Sequence, residues 1–230
     1  MKSRITTIAF DADDTLWVNE PYFQDAEKQF CHLLENYSSQ QTISQELFKT
    51  EMRNLPLYGY GIKGFVLCMI ETATIVSNKT VSPDVIDTIL AIGHELLQKP
   101  IELLPGVLDT LEQLKESHQL IVATKGDLLD QERKLKKSGL ECYFDHIEIM
   151  SDKKVVDYQK LLNHLGCQPE NFLMLGNSIQ SDILPVLDLG AHGAHIPYSV
   201  TWTHEQSQHE VKSNNFIQLQ RIDEVLNFLT

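Results

Sequence analysis

Ile8-Ala9-Phe10-Asp11-Ala12-Asp13-Asp14-Thr15-Leu16 decides how this chain reads: an apolar run that halts on three closely spaced acids. In an extended segment, residues two apart share a side, so Asp11 and Asp13 can converge beyond the carboxyl end of a strand. That edge is where open α/β sheets place their ligands. Acids this close repel one another unless a cation or solvent compensates, which makes a hard metal ion a natural partner. The competing reading is an acidic turn with Asp13 or Asp14 capping a helix, and an isolated D-x-D-x-T favours it.

Segments farther along shift the balance. Residues 120–123 form an apolar run ending at Thr124-Lys125-Gly126, and residues 172–175 form another ending at Gly176-Asn177-Ser178, with Asp182 one helical turn beyond. Ser151-Asp152-Lys153-Lys154 sets cations just ahead of a helical stretch, 155–166. Strands are expected at 5–10, 120–123, 172–175 and 194–197, with further ones at 146–150 and near 216–219. Strands alternating with helices point to parallel βαβ units and a doubly wound, Rossmann-like α/β sheet.

The region 17–100 has a different texture. Amphipathic helices are expected at 22–37, 45–53, 62–77 and 83–98, with no strand among them. Asn19 and Ser82 are candidate helix starts, the second reinforced by Pro83 at the first helical position. Residues 1–16 and 101–230 would then form the α/β core and 17–100 an inserted helical domain. The chain re-enters at Leu104-Pro105-Gly106, before a helix at 107–117.

Composition bounds the partners. The 230 residues are 42% hydrophobic and 22% charged, enough for a sizeable core. A formal charge of −13 disfavours nucleic acid and anionic membrane surfaces. The same field repels phosphate esters, so a site for them needs local positive charge. No apolar run reaches membrane-spanning length and the N-terminus lacks a secretory pattern, which suggests a cytoplasmic protein. Cys31, Cys68, Cys142 and Cys167 stand far apart, without zinc-ligand spacing, and read as reduced thiols.

The ordered set Asp11-x-Asp13-x-Thr15, Thr124, Lys153 and Gly176-Asn177-x4-Asp182 resembles the haloacid dehalogenase-like (HAD) superfamily of hydrolases. The resemblance spans the core from residue 5 to about 197, and the helical insert looks like that superfamily's subclass I cap. It implies a phosphatase whose nucleophile is Asp11, forming an aspartyl-phosphate, with Asp13 as general acid and base. It further implies that Thr124 and Lys153 meet the phosphoryl group, and that Thr15 and the amides of Ala12 and Lys125 belong to its cradle. Lys154 is the adjacent alternative to Lys153, which is preferred on its spacing to the following helix. Magnesium is the implied cofactor, on Asp11, the Asp13 carbonyl, Asn177 and Asp182, either of the last two being the direct ligand.

Three departures from the commonest family pattern stand out. Asn177 replaces an Asp and removes one negative charge. Asp14, where Gly is frequent, is expected to be a tolerated turn residue, and Lys125, where Asn is frequent, to point into solvent rather than reach phosphate. Haloacid dehalogenases also carry Asn in the fourth motif but generally lack the second acid, so Asp13 favours phosphate chemistry. A non-catalytic binding protein on the same fold is the other alternative.

Other features stay subordinate. The glycine-rich stretch 57–64, with Tyr58, Tyr60 and Lys63, either faces the site and selects substrate or is an ordinary interhelical loop. Tyr22 and Phe23 read as core of the insert. His192 and His195 suggest a metal pair, but without a third ligand a structural role is preferred, and the polar loop 198–209 with Trp202 and His204 is uninformative. A small phosphorylated metabolite is the expected partner, bound by a monomer or homodimer.

Overall fold

The computed structural model describes residues 5–200, 202–205 and 211–229. Among the described residues six strands form: β1 (Thr7–Phe10), β2 (Gln119–Lys125), β3 (His146–Met150), β4 (Phe172–Gly176), β5 (His192–His195) and β6 (Phe216–Gln218). All neighbours pair in parallel, in the order β3-β2-β1-β4-β5-β6. This doubly wound order reverses around β1, and the crevice at its carboxyl end is the expected ligand position.

Strand alternation distributes the core over both faces. Ile8, Phe10, Leu120, Val122, Leu173 and Leu175 share one cluster, while Ala9, Ile121, Ala123, Phe172 and Met174 share another. Burial on both faces explains why these strands read as continuous apolar runs.

Between β1 and β2 lie four helices, α1 (Glu20–Leu33), α2 (Gln40–Tyr58), α3 (Ile62–Val76) and α4 (Pro83–Gln98), followed by α5 (Val107–Lys115). Beyond β2 come α6 (Leu128–Ser138), α7 (Val155–Leu165), α8 (Leu184–Asp188) and α9 (Val225–Leu229). Val107, Leu111, Leu114 and Val225 pack on the first face of the sheet. Tyr158, Leu161, Leu162 and Val186 pack on the second.

The chain divides into two compact units. The sheet unit takes in the described residues through Glu20, then Ile101–Lys125, and those from Gln131 on. Leu16 and Trp17 belong to its core, which carries this unit past residue 16. The helical unit comprises Pro21–Pro100 and Gly126–Asp130. Its own core gathers Phe30, Leu34, Ile43, Leu47, Met69 and Ile89, with Tyr22 and Phe23 packed against it.

Several boundaries differ from the sequence expectation. The helix expected at 22–37 ends at Leu33, and turns through Leu34–Tyr37 lead to Ser39, whose hydroxyl accepts from Thr42 N at 3.2 Å and starts α2. α2 then runs well beyond 45–53 and carries Pro56 in its last turn. The stretch 57–64 is therefore mostly helical, with Gly59-Tyr60-Gly61 alone linking α2 to α3. Gly59 and Gly61 have φ of 70° and 108°, backbone geometry that side chains resist. β5 starts two residues earlier than 194–197: His192 already pairs with Leu173, Ile183 and Val186 lie against Gly193, and Pro197 lacks a donor to extend the strand.

Candidate active site

Asp11 leaves β1 with its amide on Leu175 O at 2.8 Å, which anchors it beside β4 at the carboxyl edge of the sheet. Its Oδ1 accepts from Lys153 Nζ at 2.5 Å, and the same ammonium donates to Asp182 Oδ1 at 2.7 Å. All three side chains are at most 10% exposed. Burial pushes the Asp11 carboxyl up to about 7, opposed by the Lys153 ammonium that pulls it down. Lys153 loses solvation by burial but is held cationic, well above its ordinary value, by its two acids.

The loop after β3 delivers this lysine. Asp152 Oδ1 accepts Lys153 N at 2.8 Å, and α7 begins two residues later. Lys154 diverges: its side chain is 73% exposed and pairs with Asp152 at 2.8 Å. Asp182 lies in a π-helical turn, Ile179–Ile183, and its Oδ2 accepts Ser178 N at 2.9 Å. A Cβ on Gly176 would lie 2.2 Å from that Oδ2, so only glycine leaves room for the carboxylate.

Thr15 links the first and fourth segments, with Oγ1 3.2 Å from Asp11 Oδ2 and 3.4 Å from Asn177 Oδ1. Its chain position follows from a tight turn in which Ala12 O accepts from Thr15 N and Leu16 N at 3.3 and 2.8 Å. His195 Nε2 donates to Asn177 O at 3.0 Å, bracing the fourth segment from β5. His192 instead hydrogen-bonds to the Glu170 backbone, so the two histidines serve different neighbours. Thr124 is buried at the end of β2, its hydroxyl 3.5 Å from Lys125 O.

Asp13 goes to a separate set of donors. Trp17 Nε1 reaches Oδ1 at 2.7 Å, Gln131 Nε2 reaches Oδ2 at 2.8 Å, and Lys134 Nζ contacts both oxygens at 2.9 and 3.1 Å. Two expectations are corrected nearby. Asp14 is more than a turn residue: at φ 61° its carboxylate accepts Asn19 N and Glu20 N at 2.9 and 3.0 Å, at the start of α1. Lys125 does not point into solvent; its side chain is 14% exposed and bonds Ser181 Oγ at 2.8 Å and the Glu205 carboxylate.

Trp17, Gln131, Lys134 and Glu205 were not found by sequence reasoning. A signal for the α6 pair existed. Asp127 Oδ1 caps Asp130 N at 3.1 Å and Gly139 takes φ 73° after the helix, so Asp127 and Gly139 bracket α6 in the sequence. Gln131 and Lys134, three apart, then share one helix face.

Among the described residues no three His, Cys, Asp or Glu side chains gather as a metal cluster. Magnesium needs fewer, since it prefers oxygen ligands and keeps several waters. Asp11 Oδ2 and Asn177 Oδ1 both lie within 3.4 Å of the Thr15 hydroxyl, a convergence of hard oxygens that fits such an ion. Asp182 already serves Lys153 and the Ser178 amide, which suits an outer, water-linked position better than direct ligation.

Residues 5–190 match the family model of haloacid dehalogenase-like hydrolases. A haloacid dehalogenase-like family hydrolase from Xanthomonas campestris is 34% identical, with a TM-score of 0.88 over 98% of this chain and 91% of that one. A HAD-hydrolase of Bacillus subtilis, bound to magnesium in its structure, shares the fold at 16% identity and a TM-score of 0.67, over 98% and 99% of the two chains. The glyceraldehyde 3-phosphate phosphatase of Methanothermobacter thermautotrophicus is 28% identical over 126 residues, which are 50% of this chain and 55% of that protein. The chain thus spans about half the length of that curated relative. From Asp11 and the turn after β1 to the glycine that seats Asp182, this chain belongs to the haloacid dehalogenase-like hydrolases.

Proposed function

We propose that this hydrolase is a magnesium-dependent phosphomonoester hydrolase acting on a small phosphorylated metabolite in the cytoplasm. One observation carries the reading: two carboxylates follow β1 with separate partners, Asp11 on Lys153 and Asp13 on Trp17, Gln131 and Lys134. Hydrolysis of a phosphate ester through a covalent intermediate needs two such acids, one as nucleophile and one to move a proton. The phosphatase from Methanothermobacter thermautotrophicus lends support at the level of reaction type.

A carboxylate oxygen of Asp11 attacks phosphorus in line with the ester oxygen. The P–O bond to the leaving alcohol breaks as Asp13 gives that oxygen its proton. Water then attacks phosphorus, Asp13 takes its proton, and the bond from phosphorus to Asp11 breaks to release orthophosphate. Lys153 and the Thr124 hydroxyl meet the charge on the phosphoryl oxygens. Bound magnesium, held by Asp11, the Asp13 carbonyl and Asn177 with Asp182 behind, supplies further neutralisation.

Asn177 favours a second reading, hydrolysis of a haloacid by attack of Asp11 on carbon. That reaction expels halide, which needs no proton and leaves Asp13 without a task. Phosphate release from p-nitrophenyl phosphate and chloride release from 2-chloropropionate separate the readings. Phosphate release abolished by chelation and by Asp11→Asn is the expected result. Chloride release alone would establish the second reading, and no turnover of either would favour a non-catalytic binding protein.

A further inference from the structure

Three side chains hold the Asp13 carboxyl group: Trp17 Nε1 on Oδ1, Gln131 Nε2 on Oδ2 and the Lys134 ammonium on both oxygens. Two of the three donors come from one face of α6. The third hydrogen of the Lys134 ammonium goes to Asn19 Oδ1 at 2.7 Å, so its direction is fixed as well.

Gln131 is the more telling of the two. It is 5% exposed, and its amide nitrogen donates to Asp13 Oδ2 and to Lys125 O at 3.2 Å. Both are acceptors, so turning the amide over would set oxygen against oxygen. The orientation that serves them leaves Gln131 Oε1 buried without a partner. Folded proteins rarely tolerate such an orphan, and an apolar side chain of similar shape would remove it. Packing alone therefore gives no reason for glutamine here; its bonds tie Asp13 to the end of β2, next to Thr124.

We infer that Gln131 and Lys134 are positioning residues that set the aim of the Asp13 carboxyl group. The inference rests on the phosphatase reading, in which Asp13 must face first the leaving oxygen and then water. Misplacing a proton donor by an ångström is costly, but only where the leaving group needs the proton. The residues should therefore matter in proportion to leaving-group basicity, a dependence that a purely structural role would not produce.

The experiment compares kcat and KM for phenyl phosphate and p-nitrophenyl phosphate with magnesium, in wild type, Gln131→Met, Lys134→Met and Lys134→Arg. Both methionine variants should lose roughly 10- to 100-fold in kcat on phenyl phosphate. They should lose no more than about threefold on p-nitrophenyl phosphate, whose leaving group departs unaided. KM should stay within about threefold, because Asp13 does not hold the phosphoryl group. Lys134→Arg should recover much of the loss, since its fork can still meet both carboxylate oxygens. Gln131→Met should melt at or above the wild-type temperature, which separates lost aim from lost fold. Equal losses on the two substrates, or no loss in Gln131→Met, would overturn the inference. A wild type inactive on both would overturn the phosphatase reading and this inference with it, a result distinct from an active wild type with unaffected variants.

Discussion

Replacing Lys153 with methionine tests the electrostatic arrangement of the site without reference to any substrate. The ammonium lies between Asp11 and Asp182 at 2.5 and 2.7 Å, and the Lys153 and Asp182 side chains are each 1% exposed. Methionine has nearly the same length and leaves two buried carboxylates facing each other without a counter-charge. Removing one partner of a buried ion pair typically costs about 3–5 kcal/mol. For a chain of this size each kcal/mol shifts Tm by about 2–4 °C, so a fall of roughly 6–20 °C is expected. Adding Asp182→Asn should return at least about 1 kcal/mol, because one of the stranded charges disappears while an amide oxygen remains for Ser178 N. The assay is urea unfolding of wild type, both single variants and the double variant, in the presence of chelator so that no divalent cation replaces the lysine. A loss below about 1 kcal/mol in Lys153→Met would refute the reasoning. So would a double variant whose loss equals the sum of the singles, since independence would mean the charges do not interact.

Three further outcomes follow from separate parts of the chain. A Cβ on Gly176 would meet Asp182 Oδ2 at 2.2 Å, so Gly176→Ala should abolish turnover and lower stability by about 3 kcal/mol or more, read by activity and by melting. In the helical unit a Cβ on Gly93 would meet Val66 Cγ2 at 2.3 Å, so Gly93→Ala should destabilise by about 1–3 kcal/mol. In a Val66→Ala background the same change should turn neutral or gain up to about 1 kcal/mol in denaturant melts, as helix propensity takes over. Burial, aided by Glu27, raises Glu51 from 4.5 to about 8. Because the folded value lies above the unfolded one, stability is fullest below pH 4.5 for this group and falls as pH rises toward 8. Glu51→Gln should remove that slope, gaining on the order of 2–4 kcal/mol above pH 8; pH-resolved unfolding with an unchanged slope would contradict it.

The parts of this fold that were legible in sequence are those where one physical demand dominates. β1, β2 and β4 are buried on both faces, so their apolar runs stand out and their carboxyl ends can be placed to within a residue or two. Asp11 stood out because it ends such a strand, whereas the roles of Lys153 and Asp182, which lie beyond β3 and β4, came from the resemblance to the hydrolase superfamily. β5 was displaced because half of it, Gly193 and Ala194, carries almost no hydrophobic signal. α2 was shortened because Gln40-Gln41-Thr42 has no apolar residue to show a helical period and Pro56 looks like a breaker; the Ser39 cap is what starts the helix so early. Gln131 and Lys134 escaped notice for a different reason. Two polar residues one turn apart ordinarily belong to a solvated face; the Asp127 and Gly139 brackets mark the helix and its register, but not which of its polar faces meets Asp13 across more than a hundred positions.

The charge balance around these acids bears on how an anionic ester would be drawn in. The chain is acidic throughout, with a formal charge of −13. Among the described residues, the lysines already placed near the sheet's carboxyl edge each have an acid: Lys153 has Asp11 and Asp182, Lys134 has Asp13, and Lys125 has Glu205. These ammonium groups therefore neutralise carboxylates and leave no surplus positive charge, so they cannot by themselves overcome the long-range repulsion of a phosphate ester. What they can do is hold each carboxylate in a fixed direction, which is the preorganised component of catalysis. On the proposed reading, attraction then has to come from a divalent cation on Asp11 and Asn177. Loss of Asp at position 177 lowers the negative charge that cation would face, which favours a site where metal and phosphoryl group arrive together over one that holds metal tightly on its own. Chelation and phosphate binding are then two views of one equilibrium, each ligand strengthening the other by the same factor.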